Sequence, residues 1–382
     1  MIIGDCVKCK TCNCEYRIRF NVGTKFPQSV MFHCKTCGEK LTYGYEKDRK
    51  KILKNITVIT ENFELPVINL HPELPVDPKL KSDPYYFPSL DFMLEQMKKG
   101  DSGFVEMRIA QASIKRYIEH WDEIQQDFRY LKEGRWIMLE PKYGKNKLKT
   151  EKEILKKVMR SGRYFLDGKW WNDLYRGVLS EMEKVKRNAR FNELKSFLTS
   201  YKDDLLLHKM YSVMKKYRDV EVELLPTLLN QKCGLDQSGH SSSPNWETIE
   251  KIYGNLFELY GDLLLIPTVI NNLSTRNDFQ KFASEGFTIE KYVDTDKAGR
   301  TKNFADNPNL KTLGDFYDSG IRNSTHHESS TYEIQDQNIV MKTGKGGKVG
   351  KVMPLLDYLI HCNEIYARCL VLFNILYKIT LA

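Results

Sequence analysis

The tetrapeptide Cys9-Lys10-Thr11-Cys12 returns unchanged as Cys34-Lys35-Thr36-Cys37, and this repeat decides how the N-terminal part of the chain folds. Two residues between cysteines let both sulfurs of a knuckle face one ion while backbone N–H groups of the knuckle donate to them. Two such knuckles complete a tetrahedral four-cysteine zinc site. Six of the nine cysteines fall within the first 37 residues. In a reducing compartment such crowding points to a metal rather than to disulfides. Around the knuckles run β-prone segments, Tyr16–Phe20, Ser29–Phe32, Lys40–Tyr43 and Ile56–Ile59, with Gly23, Pro27 and Gly38 as breakers. Their period-two alternation predicts a small antiparallel sheet over residues 1–62.

The first knuckle leads into a strand, as Cys12-Asn13-Cys14-Glu15-Tyr16-Arg17-Ile18, and the second runs into glycine, as Cys37-Gly38. In both respects the segment resembles the zinc ribbon. Cys6 and Cys14 leave the register open, since Cys6-Val7-Lys8-Cys9 has the same spacing; Cys9 and Cys12 fit better because they lead directly into the strand. Four thiolates close the coordination sphere and leave no place for an activated water. Cys9, Cys12, Cys34 and Cys37 are therefore expected to hold a structural Zn2+, whose binding would contribute much of the folding free energy of so small a sheet. Zinc ribbons commonly recognise nucleic acid or protein, and Arg17, Arg19 and Lys25 suit the former. A ribbon that serves only as a folding staple is the plainer alternative.

Beyond the ribbon, 382 residues leave room for two or three domains. A formal net charge of +9, from 59 Lys plus Arg against 50 Asp plus Glu, favours a polyanionic partner. With 41% hydrophobic and 12% aromatic residues, disorder is excluded as the main state. Met1 to Asp5 lead straight into cysteines without a basic flank and apolar core, so a cytoplasmic location is expected. The most apolar stretches, Leu256–Leu273 and Leu355–Leu381, carry Glu258, Asp262 and Pro267 in one and Asp357, Glu364 and Arg368 in the other. Both are expected as buried helices, with no membrane partner.

Residues 63–88 hold six of the thirteen prolines, which forbids a helix and favours an extended linker. Residues 89–235 read as a helical middle region. Within it a basic run extends from Lys142 to Arg163, with Tyr164, Trp170 and Trp171 just beyond. Such a run could track a phosphate backbone while aromatics stack on bases, although a solvated helix face followed by core aromatics is the commoner arrangement. A Gly/Ser-rich break, 233–243, opens the last region, 236–382. There Ile249, Ile252, Tyr253, Leu256, Leu259, Tyr260 and Leu263 recur at helical spacing, followed by helical stretches over 278–285 and 310–327, a hairpin over 331–342 and a final helix from Pro354. Four helices with one β excursion predict a bundle. The fold class is thus mainly α, with a small N-terminal β ribbon.

The chemistry-bearing segment of this region is Gly320-Ile321-Arg322-Asn323-Ser324-Thr325-His326-His327-Glu328. Arg can hold a phosphate and stabilise charge growing on phosphorus, and His can transfer protons near neutral pH. Arg322, Asn323 and His327 match the short signature of the HEPN superfamily, which this segment resembles, and the resemblance covers about the last 140 residues. It implies a four-helix bundle that dimerises with two motifs facing one cleft. It further implies metal-independent RNA cleavage through 2′-OH attack, with Arg322 on the phosphate, Asn323 as a positioning group and His327 as general acid or base. Helical periodicity instead sets His326 on the face of Arg322, so His326 is the alternative. Chains of this modular kind are typical of bacterial toxins and antiphage defence, which implies an abortive-infection effector with a phage or host trigger or an antitoxin. The rival expectation is a non-catalytic zinc-ribbon nucleic-acid-binding or regulatory protein whose helical half dimerises. Asp315 and Asp318 precede Arg322 by one to two turns and could orient it. Tyr332 could stack on a base or pack in the hairpin, and His361 reads as a core or interface histidine. Gly344 to Val352 resembles a phosphate loop but fails as one, because Val352 follows Lys351 where Ser or Thr is required; it is expected as a basic loop.

Overall fold

The computed structural model describes residues 2–23, 26–235, 239–242, 245–326, 329–342 and 349–381. They form a mostly α-helical chain with three small sheets. The first sheet has the order β6-β1-β2-β7, from β1 (Ile2–Cys9), β2 (Glu15–Asn21), β6 (Ile56–Ile59) and β7 (Val67–Leu70). The second is β3-β4-β5, from β3 (Gln28–His33), β4 (Lys40–Tyr45) and β5 (Lys51–Lys54). β1 and β2 pair antiparallel with Val7 opposite Tyr16, and β7 lies parallel to β2 with Ile68 opposite Ile18. Alternation sends Tyr16, Ile18 and Phe20 from β2 and Leu41, Tyr43 and Tyr45 from β4 into one core with Val7, Val30 and Phe32. The rings of Phe20, Tyr43 and Tyr45 meet edge-on or tilted at 5.5–6.1 Å.

The four expected strands are all present, and three more join them. β1 escapes a period-two pattern because Gly4, Asp5 and Lys8 dilute its apolar residues. β7 falls inside the proline-rich stretch: Pro66 and Pro72 flank Val67-Ile68-Asn69-Leu70 without interrupting it, so its backbone is free to pair with β2. Extended conformation is found there, though as sheet rather than as free linker.

The chain divides into two compact units, each discontinuous in sequence. The first comprises residues up to Gln111, Val220–Glu250 and the described residues from 329 to Ile360; the second comprises Ala112–Asp219, Lys251–His326 and the described residues from His361 onward. Helices α1 (Pro88–Lys98), α8 (Glu221–Cys233) and α9 (Trp246–Ile249) belong to the first, together with the third sheet, β10-β9-β8, from β8 (Ser330–Glu333), β9 (Asn338–Lys342) and β10 (Val349–Pro354). β8 and β9 are the expected hairpin. Tyr332 stacks on Trp246 at 5.7 Å, and Tyr358 meets the same indole edge-on at 5.2 Å. Tyr332 is thereby spent on packing.

The second unit holds most of α2 (Asp101–Lys132), then α3 (Trp136–Tyr143), α4 (Lys147–Phe165), α5 (Lys169–Val185), α6 (Phe191–Ser200), a π-helical turn Asp203–Lys209, α7 (Met210–Asp219), α10 (Ile252–Leu263), α11 (Leu265–Arg276), α12 (Ile289–Asp294), α13 (Ser319–His326) and most of α14 (Leu355–Thr380). Its centre is aromatic: Tyr217 stacks on Tyr366 at 3.8 Å, Phe165 on Trp171 at 5.1 Å, and Tyr117 shares a 2.6 Å hydrogen bond with Tyr366. Glu364 and Arg368 form a buried ion pair one turn apart on α14. Arg368 Nη1 donates to Glu364 Oε2 at 2.5 Å, its remaining nitrogens reach the Thr312 carbonyl, and Trp171 Nε1 donates to Glu364 Oε1. Complete pairing is what lets both charges sit there. By length and composition α14 could cross a bilayer, yet its apolar window is almost wholly buried, as in a core helix.

Local sequence explains three departures from the periodic pattern. The helix expected through 249–263 is broken into α9 and α10 by a turn at Glu250 and Lys251. Residues 278–285 are not helical. Asn277 ends α11 in the left-handed region at φ 55°, the Asp278 side chain accepts from the Gln280 amide, and the next helix waits for the Thr288 cap at α12. Residues 311–314 form only a 3-10 turn, because Phe316 at φ 63° and the Asp318 cap restart the chain as α13.

Candidate functional site

Two clusters carry chemistry, one in each unit. In the first unit the sulfurs of Cys9, Cys12, Cys34 and Cys37 all lie within 4.8 Å of one another. Both knuckles have the same backbone. Cys9 N donates to Cys14 O and Asn13 N to Cys9 O; Cys34 N donates to Glu39 O and Gly38 N to Cys34 O. Each turn closes on a left-handed residue, Asn13 at φ 62° and Gly38 at φ 74°, which is why asparagine and glycine occupy these positions. The cluster assigns the register that the sequence left open. Cys6 sits apart, exchanging hydrogen bonds with the backbone of Asn62, and Cys14 packs against the sheet core.

The donor set suits a tetrahedral metal. Sulfurs about 2.3 Å from a zinc lie about 3.8 Å from one another, and Cys9 to Cys37 and Cys12 to Cys34 measure 3.8 and 3.5 Å. Electrostatics within the cluster differ by position. Burial would raise the Cys34 thiol, but the Tyr16 hydroxyl and the amides of Cys37 and Thr36 outweigh it and hold the group down at about 6. Tyr16 Oη lies 3.1 Å from Cys34 Sγ. Cys12 is pushed up to about 12: the Cys14 amide favours its thiolate, but burial and the other three sulfurs together oppose a second negative charge. A cation removes that conflict for all four.

In the second unit, Asp318 caps α13 by accepting from the amides of Gly320 and Ile321. Tyr253 locks the cap, donating to Phe316 O at 2.6 Å and accepting from Asp318 N at 2.7 Å. Asp318 thus shapes the start of the helix. Ile321, Ser324 and Thr325 turn inward, and α10 packs against this helix at Gly254, where a Cβ would make ordinary contact with Thr325, His326 and the Arg322 carbonyl at 3.7–3.9 Å. The outward arc is Arg322, His326 and Asn323, which span about 100° of the helix. His327 lies outside the described residues; the helix is described through His326, and on it Arg322 and His326 share a face.

Arg322 is held by a partner that no sequence motif announced. Its Nε donates to Glu258 Oε1 at 2.7 Å, Nη2 lies 2.6 Å from the same oxygen, and Nη1 donates to Asn323 Oδ1 at 2.7 Å. Among described residues each terminal nitrogen keeps a further N–H, and the side chain is about a quarter exposed (28%). Glu258 and Asp262, one turn apart on α10, form the centre of a larger network. Lys297 reaches Glu258 Oε2 at 3.2 Å and Asp262 Oδ1 at 2.9 Å, Lys209 reaches Asp262 Oδ2 at 2.6 Å, and Arg300 lies 3.5 Å from Asp262. Burial would raise the Asp262 carboxyl, but Lys209 and Lys297 outweigh it and hold it below its ordinary range. Arg322, Lys297, Lys209 and Arg300 gather around these two carboxylates, with Asp204 3.3 Å from Lys209 as a third acid, so the cluster keeps an excess of a single positive charge. His361 packs edge-on against Tyr253 and Phe316 at 6.2 and 5.0 Å. In the basic segment around Gly344, residues 343–348 lie outside the described residues and Val349–Pro354 form β10. No family model, no curated protein and no solved structure matches this chain.

Proposed function

We propose that this chain is a metal-independent endoribonuclease of HEPN type, with Zn2+ as a structural ion in its N-terminal ribbon. The observation that carries the proposal is the Arg322 cluster: a guanidinium held through Nε and Nη2 by Glu258 and through Nη1 by Asn323, with one N–H on each terminal nitrogen left over among the described residues, sharing a helix face with His326. Such a group suits a phosphodiester. A guanidinium fixed before the reaction needs no reorganisation as charge develops on the phosphoryl oxygens. In the proposed step the ribose 2′-oxygen bonds to phosphorus as the bond from phosphorus to O5′ breaks. A base takes the 2′ proton, an acid delivers one to O5′, and the products are a 2′,3′-cyclic phosphate and a 5′-hydroxyl. His327 or His326 serves as one of these groups, and two motifs facing each other across a homodimer would supply the pair. Growth arrest in a toxin or antiphage system is the role that fits.

One observation favours the non-catalytic alternative: Glu258 already neutralises Arg322, as in a purely structural ion pair. The test compares wild type with Arg322→Ala, His326→Ala and His327→Ala on labelled RNA with free divalent ions chelated. Cyclic phosphate ends from wild type, lost in Arg322→Ala and in one histidine variant, support the enzyme. Cleavage that survives every substitution, or never appears, supports the alternative.

A further inference from the structure

The basic run of the middle region folds into α4, and its cations form a single line. Lys149, Lys152, Lys156, Arg160 and Arg163 follow one another at steps of three or four residues. At 100° per residue they occupy an arc of about 80°, and at 1.5 Å per residue they extend over about 21 Å. All five are exposed. The opposite face of the helix, Ile154, Leu155, Val158, Met159 and Phe165, is buried, and at Gly162 the backbone lies against Leu370 of α14, so the line can only face outward.

An ordinary solvated face interleaves acids with its bases, and this one does not. The two acids of α4 lie outside the arc and are engaged, Glu151 with Lys202 at 2.5 Å and Glu153, which borders the line, with Lys157 of the same helix at 3.5 Å. None of the five cations forms an ion pair with a described residue; Arg160 donates only to the Tyr164 hydroxyl, and Arg163 lies over the Tyr175 ring at 4.4 Å. Holding five like charges in line without counter-charges is unfavourable for an isolated fold. A polyanion with regularly spaced charges relieves it. Just past the line, Lys169 adds a cation and Trp170 leaves half of its surface exposed at the start of α5, the kind of ring on which a base stacks.

We propose that the outer face of α4 is a track for the sugar–phosphate backbone of single-stranded RNA. The proposal deepens the ribonuclease reading and rests on it for the choice of RNA as the polyanion. Binding without turnover tests it, using full-length protein and a fluorescein-labelled 2′-O-methyl oligouridylate of about 20 nucleotides, long enough for the usual single-strand site sizes and lacking the attacking hydroxyl. Replacing Lys149, Lys152 and Lys156 by glutamine should weaken binding at least about tenfold near 0.1 M salt. It should also reduce the slope of log affinity against log salt by about 2, since each lost single-strand phosphate contact removes about 0.7. A matched triple at the exposed Lys281, Lys302 and Lys311 of the same unit should stay within about twofold of wild type if line and not net charge is what binds. Circular dichroism checks that both triples fold. No binding by wild type, an unchanged slope in the α4 triple, or an equal loss in the matched triple would overturn the proposal. So would α4-dependent binding to phosphatidylserine vesicles with RNA binding intact, which would assign the face to a membrane. Line-dependent binding in a protein that never cleaves RNA would refute the ribonuclease reading and leave the track standing.

Discussion

Replacing Cys34 by serine should cost the N-terminal sheets their metal. Structural zinc sites carry apparent binding free energies of about 10–16 kcal/mol, so one thiolate of four accounts for about 3–4 kcal/mol, or two to three decades of affinity. Cys34 is the most consequential of the four to remove. It is buried, it receives the Tyr16 hydroxyl, and that hydroxyl with the amides of Cys37 and Thr36 holds its thiol below the ordinary range. Serine preserves the hydrogen bond to Tyr16 but offers a poor ligand, which separates metal loss from loss of packing. The assay is zinc content by mass spectrometry after dialysis against a competing chelator, with thermal unfolding followed in parallel. Wild type should retain one zinc per chain and Cys34→Ser close to none, with earlier melting of the β-rich part. Cys6→Ser and Cys14→Ser should keep their zinc, because Cys6 is tied to Asn62 and Cys14 faces the sheet core. Full zinc in Cys34→Ser, or its loss in Cys6→Ser, would refute the assignment of ligands.

Three further outcomes follow from the packing. Glu364→Gln leaves Arg368 buried with its counter-charge gone and should destabilise the second unit by about 3–5 kcal/mol, whereas replacing both residues by apolar ones of similar size should cost little; equal melting of the single and double variants would contradict this. Asp262 is held below its ordinary range by Lys209 and Lys297, so its contribution is fully present above about pH 4 and is lost as pH falls through the lowered folded value; Asp262→Asn should flatten the acid limb of the stability profile, and an unchanged limb would refute the network. A Cβ at Gly44 of β4 would collide with the Gln28 carbonyl oxygen and approach the Ser29 Cα to 2.6 Å, so Gly44→Ala should lower stability by about 1–3 kcal/mol in chemical denaturation, where no change would show that the strands separate freely.

The repeated C-x-x-C and the alternation of Tyr16 to Phe20 made the cysteine cluster and its neighbouring strands legible, because ligand spacing and period-two burial are both local signals. β7 was hidden, since proline density dominates its neighbourhood while its pairing with β2 is set by residues far away in sequence. In the helical half, periodicity located α10 and the final helix α14 and gave a helical middle region without dividing it, but it could not foresee how capping at Asp318 and Thr288 would divide the later segments. The most instructive case is that of the charges on the apolar helices. From sequence, Glu258, Asp262, Glu364 and Arg368 served only to argue against membrane spans. In the fold, the first two organise the cations around Arg322 and the last two neutralise each other in the core. The lysines that Glu258 and Asp262 hold, Lys209 and Lys297, come from distant segments, so no local pattern could have paired them, whereas Glu364 and Arg368 stand four residues apart on one helix. The i,i+4 spacings of Glu258 with Asp262 and of Glu364 with Arg368 inside apolar stretches were the local hints.

What Arg322 does is read from the chemistry of RNA ends. Purified full-length protein is incubated with end-labelled RNA in chelator, alongside Arg322→Ala and Arg322→Lys, and the products are probed for 2′,3′-cyclic phosphate. A fixed guanidinium acting on the phosphate predicts cyclic phosphate ends from wild type. It further predicts a loss of at least about a hundredfold in Arg322→Ala, of the order seen when one anchored oxyanion donor is removed, and incomplete rescue by lysine, which cannot reproduce the fork. Ends formed equally well by Arg322→Ala, or no ends from wild type with any RNA, would contradict it.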